Sequence, residues 1–73
     1  MDIFAAAQKL QDRLRGYEWL TAVAVGGLDD KEVIFVYTKH PVRNREVEEL
    51  KTHGWMGHDV KIRQVGQTTP AIV

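Results

Sequence analysis

Neither cysteine nor serine occurs in the sequence, and proline occurs only twice. Without cysteine there is no disulfide framework, and without either residue the commonest activated nucleophiles are missing. The five threonines have no fixed histidine–carboxylate pairing to activate them, so covalent catalysis is not expected. No apolar run approaches the roughly 18 residues of a membrane span. The apolar opening from Ile3 to Ala7 has no basic segment before it, which argues against a secretory signal. Charge of one sign is also not in excess, because ten Lys and Arg balance ten Asp and Glu. Such a chain is not expected to grip nucleic acid through charge alone, and a cytoplasmic, membrane-free location is expected.

What is present is small. At 73 residues the chain holds one domain and buries only about 60% of its unfolded surface, so a metal, a partner or self-association is the expected further source of stability. The expected domain runs over residues 1–66, with an irregular tail over 67–73. Charge is uneven along the chain: Met1 to Val36 carries six acids and four bases, and the remainder carries four acids and six bases.

Asp2 can cap a helix in which Ile3, Phe4, Ala7, Leu10 and Leu14 recur at helical spacing, with Gly16 as its stop. Leu20 to Val25 and Glu32 to Thr38 are short apolar runs separated by Gly26-Gly27 and Asp29-Asp30-Lys31, the pattern of a β-hairpin. A second helix carries Val42, Val47 and Leu50 as its apolar seam, is capped by Asn44 or His40, and ends at Gly54. Asp59 to Val65 alternates Val60 and Ile62 with Lys61 and Arg63, as a half-buried strand does. The expected fold class is α+β, a two-layer α-β-β-α-β sandwich with both helices on one face of a three-stranded mixed sheet. The crossover rule makes the last strand parallel to the second. The low profile of Ala22 and Ala24 points to the first strand as the centre, in the order 2-1-3.

The second strand is apolar on both sides. Val33, Phe35 and Tyr37 point one way and Ile34 and Val36 the other, yet two short helices cover only one side. An open face bearing Val33, Phe35 and Tyr37 beside Val23 and Val25 is therefore expected to meet a protein partner or a second copy, unless the tail, with Ala71, Ile72 and Val73, folds back over it or the hairpin twists enough to hide it. The expected function is a non-enzymatic interaction or regulatory module that self-associates or binds a larger protein. Its expected contact residues are Val33, Phe35, Tyr37, Trp55, Lys61 and Arg63. The alternative is single-stranded nucleic acid, if Phe35 and Tyr37 share the open face with Lys61 and Arg63 as stacking platforms flanked by cations. Gly54-Trp55-Met56-Gly57 has the form of a KH-domain GXXG loop, but a strand rather than a helix follows, so a helix stop and turn is expected. His53, His58 and Asp59, with His40 or Glu49, are residue types that a metal accepts, but their spacing is that of ordinary exposed side chains, and no metal or cofactor is expected.

Two resemblances attach to these residues. Thr21-Ala22-Val23-Ala24-Val25-Gly26, Val33 to Tyr37, Gly57-His58-Asp59-Val60-Lys61-Ile62 and Gly66 together resemble the small leader-like domains that precede some bacterial trypsin-like peptidases. The α-β-β-α-β order is similar to the cytoplasmic metal-sensing domain of cation diffusion transporters, which dimerises; the similarity concerns the fold alone.

Overall fold

The computed structural model describes residues 2–65, so the tail expected over 67–73 lies outside the described residues. The order is α1 (Ile3–Leu14), β1 (Leu20–Leu28), β2 (Lys31–Thr38), α2 (Arg45–His53) and β3 (Val60–Gln64), an α+β arrangement. Asp2 caps α1 by accepting a hydrogen bond from the Ala5 N–H at 2.9 Å, and Asn44 caps α2 by accepting from the Val47 N–H at 2.8 Å. Each cap satisfies a donor that the first helical turn leaves free. Gly54 ends α2, its N–H donating to the Leu50 carbonyl at 2.9 Å.

The hairpin runs further than the glycines at 26 and 27 imply. Leu28 pairs with Lys31, and the two-residue turn of Asp29 and Asp30 has φ of 53° and 65°. Positive φ at both central positions matches the twist of the flanking strands, and aspartate tolerates it. The same device recurs at Met56 and Gly57, with φ of 50° and 83°. There the N–H groups and carbonyls of Trp55 and His58 bond each other at 2.8 and 2.9 Å. The Gly54 to Gly57 segment is thus a helix stop and a turn leading into β3.

β2 is the central strand. It pairs antiparallel with β1 and parallel with β3, in the order β1-β2-β3, so the parallel pairing is as expected while the placement of the first strand at the centre is corrected. The register supplies the reason. Ala22 lies opposite Tyr37 and Ala24 opposite Phe35, so the small side chains of β1 accommodate the aromatic rings of β2 and not an approaching helix. Ile34 and Val36, both fully buried, face the helices. Around them Ile3, Ala6, Leu10, Leu14, Trp19, Val47, Leu50 and Val60 complete the core. Phe4, read from spacing as a buried position, is 65% exposed, and Ala6 takes the inward place, which lets α1 approach the sheet closely. No helix among the described residues is long and apolar enough to cross a membrane.

Candidate functional site

Because directly paired residues share a face, the register sorts every strand position. Val23 and Val25 pair with Val36 and Ile34, and Val60 and Ile62 pair with Ile34 and Val36, so these six residues form the helix-covered face. This corrects the expectation that Val23 and Val25 flank the open side. The opposite face, against which neither helix packs among the described residues, carries Ala22, Ala24 and Gly26 on β1, Val33, Phe35 and Tyr37 on β2, and Lys61 and Arg63 on β3. Lys61 stands beside Phe35 and Arg63 beside Tyr37.

The two aromatic rings are stacked, with centroids 6.2 Å apart and planes 25° from parallel. The Arg63 guanidinium reaches diagonally to 5.5 Å from the Phe35 centroid, within cation–π range. Gly26 lies beneath Phe35: a β-carbon built there would come within 2.6 Å of the ring. Phe35 and Tyr37 are half-buried, while Lys61 and Arg63 are exposed. Lys31 has the same parity at the hairpin end, and among the described residues no strand position on this face carries a carboxylate. A face that is cationic and aromatic thus belongs to a chain whose formal charge is zero.

No protein-family model, curated protein or solved structure matches this chain significantly.

Two of the expected contact residues stand apart from it. Val33 shares its parity but is only 2% exposed, so it offers a partner almost no surface. Trp55 lies against the helix-side core, where its indole N–H donates to the Ala6 carbonyl at 2.9 Å and Arg13 sits 5.9 Å over its ring. Trp55 therefore ties the α2–β3 loop to α1. Trp19 is likewise core, stacked at 4.9 Å on Tyr17. Among the described residues, no three His, Asp or Glu side chains gather into a group that could hold a metal ion.

Sequence spacing gives no sign of a polar clasp between the helices. The Glu46 carboxylate accepts from the Tyr17 hydroxyl and the Arg13 guanidinium, both at 2.6 Å. The hydrogen bond from Tyr17, with help from Arg13, holds the Glu46 carboxyl below its ordinary range, while the same bond raises the Tyr17 phenol. A carboxylate whose pKa falls on folding stabilises the protein above the unfolded-state value near 4, and that contribution disappears as pH drops through the folded-state value. Glu46→Gln is therefore expected to lower Tm at neutral pH, with the difference from the wild type shrinking as pH falls below about 4. A Tm difference that stays constant from neutral to acid pH would exclude this role.

Proposed function

We propose that this protein is a non-enzymatic binding module whose working surface is the helix-free sheet face, and that this face takes an extended acidic segment of a protein partner. One observation carries the reading: stacked Phe35 and Tyr37 adjoin Lys61 and Arg63, with no carboxylate at any described strand position on that side. Tyrosine and arginine are the residue types that most often dominate binding energy at protein interfaces. A second copy laid face to face would bring two cationic faces together, which costs energy and favours a partner of opposite charge.

Size limits the partner further. Three strands span about 14 Å and the five residues of β3 about 17 Å, a patch of about 250 Å² against the roughly 800 Å² that each side of a standard interface buries. An extended segment fits such a patch better than a second globular surface, with modest affinity and regulatory use. A cytoplasmic setting fits a chain without cysteine.

A second reading, single-stranded nucleic acid, is favoured by the Phe35–Tyr37 pair and the Arg63 guanidinium, since bases stack on such rings beside cations. The test is an NMR titration with glutamate- and tyrosine-containing peptides and, separately, with mixed-sequence single-stranded oligonucleotides. The acidic peptides are expected to shift Phe35, Tyr37, Lys61 and Arg63, and Arg63→Ala is expected to weaken them about tenfold, the loss of one charge-assisted contact. Shifts with oligonucleotide alone would move the assignment to the second reading, and shifts elsewhere on the surface would reject both.

A further inference from the structure

β1 lies at one edge of the sheet, and among the described residues no strand pairs with its outer side. Its nine residues, Leu20 to Leu28, include no charged residue and no proline, and none of the nine is buried. Native edge strands are usually blunted by shortness, lysine, proline or a bulge, because a long uncharged edge is a template for another strand. This chain blunts its other edge in that way: β3 has five residues and carries Lys61 and Arg63. On β1 the only irregularity is a register shift between Leu20 and Ala22, which leaves Ala22 to Leu28 regular.

We propose that a second copy of this chain pairs antiparallel along the outer edge of β1, joining two three-stranded sheets into one continuous sheet. This surface is distinct from the open face proposed above to take a partner. The occupant follows from symmetry. Antiparallel pairing about a two-fold axis sets β1 against its own reverse, so the strand must complement itself. An uncharged strand does so without placing like charges opposite each other, whereas the β3 edge would oppose Lys61 and Arg63 to their equivalents.

A side chain on α1 points to the same arrangement. Phe4 is 65% exposed and lines a shallow groove between α1 and the β1 edge with Gln8, Gln11, Val23 and Val25. A two-fold axis perpendicular to the joined sheet keeps both helical layers on one side and brings the two grooves next to each other, where each Phe4 ring gains cover. The same axis puts both open faces on the opposite side, so pairing doubles the face without obstructing it.

The test is sedimentation equilibrium at about 100 µM, roughly a hundredfold above a micromolar Kd, combined with amide hydrogen exchange at several concentrations. The expected mass is twice 8.3 kDa for the wild type and for Arg63→Ala, which lies off this edge. Ala24→Lys, at an exposed position midway along β1, is expected to give 8.3 kDa with an unchanged circular dichroism spectrum. The alternate amides within residues 21–27 that face away from β2 are expected to gain protection in the wild type as concentration rises, and this measurement decides the matter even if Ala24→Lys fails to fold. A wild type that stays at 8.3 kDa, a doubled mass that survives Ala24→Lys in the folded variant, or β1 exchange independent of concentration would overturn the proposal.

Discussion

Alanine at position 54 is expected to remove about 3 kcal/mol or more of stability, a large share of the total available to so small a chain. Gly54 sits at φ 77° and ψ −161°, a region that side-chain-bearing residues hardly enter. A β-carbon there would also lie 2.4 Å from the His58 carbonyl oxygen and 3.2 Å from its carbon. These are backbone atoms of the tight Trp55–His58 turn and cannot swing aside as a side-chain tip can. Relief requires the turn to shift, and with it the Trp55 hydrogen bond to Ala6 and the entry into β3. Gly57 provides the comparison. Its φ is 83°, but nothing lies within 4 Å of its added carbon, so Gly57→Ala is expected to lose only about 1–2 kcal/mol. Gly16, which also has open space, should be close to neutral. Urea midpoints for the three variants test the ranking, and a Gly54→Ala protein as stable as Gly57→Ala would show that the turn is not built this way.

Ile34→Ala is expected to cost about 2–5 kcal/mol, the usual range for emptying a fully buried aliphatic site. The total stability of 73 residues is about 4–11 kcal/mol, so this variant should be largely unfolded at moderate urea concentrations. Ile34 is 0% exposed, lies between Val25 and Val60 in the sheet, and its N–H donates to the Asp59 carbonyl at 2.9 Å. Collapse around the vacancy is resisted by α1 and α2 on one side and by two strands at its flanks. Tyr37→Ala, on the same strand but the other face, is expected to cost about 1 kcal/mol, because its ring is half-buried against Phe35 alone among the aromatics. Similar losses for the two would mean that the sheet is covered on both sides.

The elements were legible in the sequence because their signals are local. Asp2, Asn44 and Gly54 mark helix ends through bonds to residues three or four positions away, and Asp29-Asp30 marks the hairpin turn. The alternation of β2 likewise separated Ile34 and Val36 from Phe35 and Tyr37. Strand order was not legible in the same way. The smallness of Ala22 and Ala24 says that something bulky comes near, but the neighbour is the aromatic row of β2 and not a helix. The candidate face divides along the same line. Lys61 and Arg63 join Phe35 and Tyr37 as soon as a parallel register is assumed. The docking of Trp55 on Ala6 and the Tyr17–Glu46 bond, by contrast, link residues 49 and 29 positions apart, with nothing in either local pattern to announce them.

The close seat of Phe35 on Gly26 has a consequence for any ligand of the open face. The ring rests on a strand position that has no side chain, with Tyr37 alongside and Arg63 within cation–π distance, so it has neighbours on three sides before any ligand arrives. A ligand that settles on it has little rotamer freedom to freeze, a cost that otherwise runs to about 0.5–1.5 kcal/mol per immobilised side chain. In the binding role proposed above, Phe35 owes its seat to a missing methyl group on the neighbouring strand.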